Sequence, residues 1–277
     1  MMDLVDEAKD VFVGPPSPDP GSRTFGGQLL AQSLGAAQRT VSGDRSVHST
    51  HSYFLKAADA AEPIELRVKR LRDGRSFSQR QVVALQGGAE VCRSLISFQV
   101  PEHGLEWEEP ITIDVALPTN EQAHADDQGR PMDVSYINAP AAPEGTPVTE
   151  PQLRWMRVHG QLGDDRPLHD AGLAYLADVG MNAVILLPHG FDWRDEQITE
   201  ASLDHAMWFH RPARADDWLY YDQRVESTSS GRGLARGRFY DLDGHLVATC
   251  MQEGLMRHWS AAPPDPVTNR RTTQPNG

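Results

Sequence analysis

Cysteine is nearly missing from this 277-residue chain, with only Cys92 and Cys250 present. Two thiols cannot build a disulfide framework or a cysteine-rich zinc site, and their scarcity fits a reducing, cytoplasmic setting. Aromatic residues make up only 7%. No run approaches the ~18 consecutive apolar residues that a membrane span needs. Met1 to Glu7 lacks both the basic start and the apolar stretch of a secretion signal. Positive charge is in deficit as well. The net charge of −13 is opposite to that of a protein that coats nucleic acid.

The 39% apolar and 23% charged content is ordinary for a soluble globular protein of one large domain or two medium ones. Charge is unevenly spread. Between Glu65 and Arg80 stand six basic residues (Arg67, Lys69, Arg70, Arg72, Arg75, Arg80) against two acids. A small basic patch on an acidic body suits one polyanionic ligand, and it equally suits a solvated strand face balanced by acidic neighbours.

Four prolines between Pro15 and Pro20 exclude regular structure from that part of an irregular segment, 1–24. Leu29, Leu30, Ser33, Leu34, Ala37 and Val41 then share one face of a helix spanning 25–41, with Gly26-Gly27 at its start. Strand-like runs follow at 47–55, 64–71, 76–85 and 89–100, the last two joined by a Gly87-Gly88 hairpin. Residues 101–130 form an acidic, proline-bearing linker. Beyond it come two short strands, a helix over 167–184, and strands at 201–210, 218–227, 231–241 and 245–256. Asp243-Gly244 makes the final hairpin, and a disordered tail is expected over 260–277.

The halves 25–100 and 131–259 share this order of a helix and four strands. Ser52-Tyr53-Phe54 aligns with Met207-Trp208-Phe209 at a shift that also brings Gly87-Gly88 to within a residue of Asp243-Gly244. The expected architecture is α+β: two copies of a helix wrapped by an antiparallel β-sheet, with the sheets continuous across a pseudo-dimer.

Familiar chemical signatures are few. The G-x-S-x-G elbow of serine hydrolases and the phosphate-binding Walker loop do not occur. His48 and His51 lie three apart on a strand, hence on opposite faces, which disfavours a metal site. Four segments carry more. The Gly pair at a helix start offers N–H groups and a positive dipole end to a developing anion, or else serves only a tight turn. Asp204 sits inside the aromatic run Asp204-His205-Ala206-Met207-Trp208-Phe209, where an unpaired charge would be costly. Thr228 lies in a hydroxyl-rich strand end and Gln252 in the final strand.

Phe25-Gly26-Gly27-Gln28, His48 to Leu55, Leu71 to Phe77, Asp204 to His210, Glu226 to Ser229 and Gln252-Glu253-Gly254 together resemble the acyl-CoA thioesterase II family. The likeness is collinear from about residue 23 to residue 257 and implies a double-hotdog fold. It also implies hydrolysis of fatty acyl-CoA by an Asp, Thr/Ser and Gln set, placed here at Asp204, Thr228 and Gln252. His48 or His51 matches a family histidine of open role. The linker looks short for the family.

On this reading Asp204 activates or orients a water, Thr228 and Gln252 support it, and direct attack by Asp204 is the alternative chemistry. The start of the first helix (Gly26, Gly27, Gln28) supplies oxyanion N–H donors, giving one composite site per chain. Arg72 and Arg75 are candidates for the CoA phosphates. No metal or organic cofactor is expected. Hotdog sheets join across subunits, so a homodimer or homotetramer is expected. The competing readings are a non-catalytic acyl-CoA binding or sensing module, and a hotdog hydratase or dehydratase.

Overall fold

Alternation of apolar and polar residues at period two dominates this chain, and it folds into one antiparallel sheet wrapped around three α-helices. The computed structural model describes residues 3–17, 23–119, 124, 125, 129–138 and 145–259. The expected disordered tail lies outside these residues.

The first half runs β1 (Val5–Ala8), β2 (Val11–Gly14), α1 (Gly26–Gln38), β3 (Ser46–Phe54), β4 (Ile64–Asp73), β5 (Phe77–Gln86) and β6 (Ala89–Gln99). After β7 (His124–Ala125) the second half runs β8 (Met132–Tyr136), β9 (Gln152–Val158), α2 (Arg166–Ala177), α3 (Met181–Leu186) and a 3-10 turn (Leu187–His189). It closes with β10 (Ile198–Ser202), β11 (Asp204–Phe209), β12 (Leu219–Ser229), β13 (Arg232–Tyr240) and β14 (Leu246–His258). The sheet order is β1-β2-β4-β5-β6-β3-β11-β14-β13-β12-β9-β8-β7, with β10 also paired to β14.

That order is symmetric about its middle. Outward from β3 come β6, β5, β4 and β2; outward from β11 come β14, β13, β12 and β9. The repeat read from sequence is thus a double hotdog with one continuous sheet. The seam is β3 against β11, antiparallel, with Tyr53 opposite Asp204 and His51 opposite Ala206.

Three expectations need correction. Val5–Ala8 and Val11–Gly14 form a hairpin that extends the sheet beyond β4, so regular structure begins before the prolines. The helix expected over 167–184 is two helices, broken at Asp178-Val179-Gly180, where Gly180 takes φ +77°. The strand expected over 201–210 breaks at Leu203 and begins earlier, at Ile198.

Part of the acidic linker also has a defined place. Ile111 and Ile113 pack against Trp155, Tyr220 and Tyr240 on the outer face of the second half. Glu108 accepts from the Leu246 N–H and pairs with Arg211, and Glu109 pairs with Arg238.

Arg166–His189 is long and apolar enough to cross a membrane, with a mean hydropathy of 1.5. It is, however, broken at Gly180, and 78% of that window is buried. Leu173, Leu176, Val184 and Ile185 make it part of the main apolar core, together with Leu30, Leu34, Ile64, Leu66 and Phe98.

Strand periodicity turns His205 inward beside Met207 and Phe209. Burial pushes its pKa down to about 4, with the Ala177 carbonyl pulling weakly the other way. The unfolded chain therefore takes up this proton first. Stability from His205 is intact above pH ~6.5 and drains away as pH falls toward 4, by roughly 3 kcal/mol. Urea unfolding of His205→Leu across that window should show a correspondingly flatter pH dependence.

Candidate active site

Helix α1 begins at Gly26 behind an extended Phe25 that provides no side-chain cap. Its first N–H groups and positive dipole end call for an anion. The protein supplies one: Asp178 Oδ2 accepts from the Gly27 N–H at 2.8 Å. A Cβ on Gly26 would stand 2.7 Å from that oxygen, and one on Gly27 would stand 2.4 Å from the backbone oxygen of Tyr175. The glycine pair therefore lets the start of α1 press against the end of α2.

Asp178 caps α2, and the turn that presents it is pinned from the sheet. Tyr221 Oη donates to the Ala177 carbonyl at 2.7 Å, and Gln223 Nε2 donates to the Val179 carbonyl at 2.8 Å. Both side chains lie on the inward face of β12 and are buried. Gly180 then adopts the left-handed conformation that starts α3.

A second set of polar groups meets this turn. Gln252 Nε2 donates to Ser202 Oγ at 3.0 Å and to Asn182 Oδ1 at 3.2 Å, while Asn182 Nδ2 donates to Ser202 Oγ at 3.0 Å. Ser202 Oγ thus receives two N–H groups, so its own proton is free to be donated elsewhere. Asp178 Oδ1, Gln252 Oε1 and Glu200 Oε2 are buried acceptors without a hydrogen-bond donor among the described residues. Burial pushes the Asp178 carboxyl up from the ordinary range, while the Gly27 N–H, the Gln252 amide and the Arg130 charge hold it down.

Gln252 is therefore the member of the expected trio that enters this cluster; Asp204 and Thr228 do not. Asp204 leads a strand in which half-buried Asp204, Ala206 and Trp208 alternate with buried His205, Met207 and Phe209, so it points to the outer face of the sheet. There its Oδ1 accepts from the Glu253 N–H at 2.8 Å. The charge that looked costly in an aromatic run is half-exposed and hydrogen-bonded. Thr228 Oγ1 pairs with His189 Nε2 at 3.0 Å at the far end of β12.

The helix start is also used differently from the expectation. The Gly27 N–H is held by Asp178, and the Gln28 N–H bonds to the Phe25 carbonyl at 3.0 Å. Of the three expected oxyanion donors only the Gly26 N–H has no acceptor among the described residues.

Arg72 and Arg75 are exposed at the β4–β5 turn and make none of the contacts that build the cluster. Much of the basic window is neutralised locally. Arg80 is buried on Thr40 and Asp73, Arg70 pairs with Asp10, and Arg67 pairs with Glu65. His48 bonds to Ser97 Oγ at 2.8 Å, and burial lowers its pKa. His51 packs edge-on against Trp208 on the outer face, beside an open concavity of about 360 Å³.

Two family models match the chain, one for the N-terminal domain of acyl-CoA thioesterases over residues 14–99 and one for the C-terminal domain over residues 114–256. This chain belongs to the acyl-CoA thioesterase family. Acyl-CoA thioesterase 2 of Haemophilus influenzae is 34% identical over 275 residues, covering 91% of this chain and 94% of that protein. Human acyl-coenzyme A thioesterase 8 is 34% identical, covering 90% and 85%. The crystal structure of an acyl-CoA thioesterase II from Mycobacterium marinum superposes with a TM-score of 0.79 at 36% identity, covering 95% of this chain and 98% of that one. A hot dog protein from Alicyclobacillus acidocaldarius, 21% identical with a TM-score of 0.73 over 95% and 97%, shares the fold.

Within this thioesterase the cluster is composite, with Gly26 and Gly27 from the first half and Asp178, Asn182, Ser202 and Gln252 from the second. Sequence reading missed Asp178 because it lies inside what looks like one continuous helix. The available signal was Gly180 two residues on, together with a lone acid in the run Ala174 to Val179. If the α1–α2 approach depends on Gly27, Gly27→Ala should cost about 1–3 kcal/mol in denaturant unfolding, because the Tyr175 backbone cannot move aside.

Proposed function

We propose that this protein hydrolyses fatty acyl-CoA to free acid and CoA, with Asp178 as the general base on a water and Ser202 and Gln252 as its partners. The observation that carries the assignment is the buried Asp178 carboxylate, with one oxygen fixed by the Gly27 N–H and the other without a donor among the described residues. An attacking water has two hydrogens to place and a lone pair to direct at carbon. Asp178 Oδ1 and Gln252 Oε1 are two unpartnered acceptors of one cluster, suited to those two hydrogens. Asp178 takes the proton as the O–C bond forms. The charge that develops on the thioester oxygen then finds the Ser202 hydroxyl and the Gly26 N–H as donors. Burial raises the Asp178 pKa, which makes it a stronger base than an ordinary carboxylate. Anhydride formation by direct attack of Asp178 remains the alternative chemistry for the same residue.

A hydratase or dehydratase would pair an acid with a histidine. Asp204 and His205 face opposite sides of β11, and among the described residues no histidine contributes a hydrogen bond to the Asp178 cluster.

The test is release of free thiol from acyl-CoA esters of two to eighteen carbons by the wild type, Asp178→Asn and Asp204→Asn. Asp178→Asn should lose at least about 100-fold in rate while remaining folded. Asp204→Asn should stay within about threefold of the wild type. Loss in Asp204→Asn with activity kept in Asp178→Asn would reverse the assignment. For the wild type, the rate should rise with pH through the Asp178 ionisation, at a midpoint above that of an ordinary aspartate.

A further inference from the structure

Glu200 is a carboxylate that the proposed reaction leaves unused. It stands two residues before Ser202 on β10, so strand periodicity puts both side chains on one face. Its Oε2 is buried without a hydrogen-bond partner. The residue as a whole is only partly buried. The groups that act on it come from each packed element: Asp178 from the α2–α3 turn, Asn182 from α3, and Arg23 from the segment before α1. Its register partner on β14 is the uncharged Met256.

Two carboxyls so placed divide the proton work between them. The deeper one accepts a backbone N–H, which favours its anion against the cost of burial. The other has a buried oxygen without a hydrogen-bond partner among the described residues, so burial weighs most on its charged form and favours the protonated one. Burial favours the protonated form of Glu200 and outweighs the opposing pull of Asn182; the Asp178 charge adds to it and the Arg23 charge opposes it.

We propose that Glu200 is the general acid of this site, giving its proton to the departing CoA sulfur while Asp178 accepts one from the attacking water. This rests on the role given to Asp178 above. The O–C bond forms as the water proton passes to Asp178. The C–S bond then breaks as the Glu200 proton passes to sulfur, and CoA leaves as the thiol. The cycle ends with neutral Asp178 and ionised Glu200, and transfer of one proton between them through solvent restores the start. No oxidant or further reactant is involved.

An acid catalyst matters in proportion to the basicity of the leaving group. The experiment measures thiol release from two esters of one acyl group, the CoA ester and the ester of a more acidic aromatic thiol, by wild type, Glu200→Gln and Asp178→Asn. Glu200→Gln should lower kcat at least tenfold on the CoA ester and less than twofold on the aromatic ester, whose retained hydrolysis shows that the variant is folded. It should also abolish the decline of the CoA-ester rate at alkaline pH. Equal loss on both esters, or no loss on either, overturns the proposal. Asp178→Asn should lose both esters; if it keeps both, the base assignment itself is wrong, whereas its loss beside an unaffected Glu200→Gln removes only the acid role. Should Glu200→Gln not fold, the wild type decides: an alkaline decline seen with the CoA ester and absent with the aromatic one supports the proposal, and identical profiles contradict it.

Discussion

The hydrogen bond from the Gly27 N–H to Asp178 ties together almost everything distinctive in this molecule. A fully buried carboxylate costs several kcal/mol unless something stabilises its charge. Here the stabilisation comes from the open end of another helix, whose N–H groups and dipole would otherwise face the interior unsatisfied. Each half solves the other's problem. The price is steric: glycine at two successive positions, so that α1 can reach the end of α2.

The pseudo-symmetry shows why the described residues make this contact once. By that symmetry the C-terminal end of α1 corresponds to the end of α2 that carries Asp178. The cap there is Arg39, whose guanidinium turns away to the Leu4 carbonyl and Asp6. The start of α2 has Arg166-Pro167 in place of a glycine pair, and a proline has no N–H to offer. Two copies of one architecture have diverged so that the donor survives in one half and the carboxylate in the other. The break at Gly180 completes the second half's contribution by starting α3, which carries Asn182 to Ser202 and Gln252.

Much of this architecture can be read from the amino acids, since it rests on periodicity. The strands of both meanders, the Gly87-Gly88 and Asp243-Gly244 turns and the β3–β11 correspondence follow from alternation and turn chemistry. The β1–β2 hairpin is less legible, being two four-residue strands next to a proline cluster. The site divides along the same line. Gln252 and the Gly26-Gly27 pair stand out locally, because an amide in a closing strand and glycines at a helix start are unusual in themselves. Asp178 has a faint local signal, a lone acid near Gly180, and its importance shows in a contact 151 positions away in sequence. Asp204 drew attention by the argument that properly applies to Asp178, an acid in an apolar run. Burial separates the two, and burial depends on which strand face turns inward and where a helix stops.

The amide proton of Gly27 reports on the central contact directly. Followed by NMR across the acid range in the wild type and in Asp178→Asn, it should move with one ionisation in the wild type. Its midpoint should lie above the ~3.9 of an unperturbed aspartate and coincide with the acid limb of the hydrolysis rate. The same proton should not titrate in the variant. A Gly27 amide that ignores pH in the wild type, or follows an ionisation that persists in Asp178→Asn, would contradict the account.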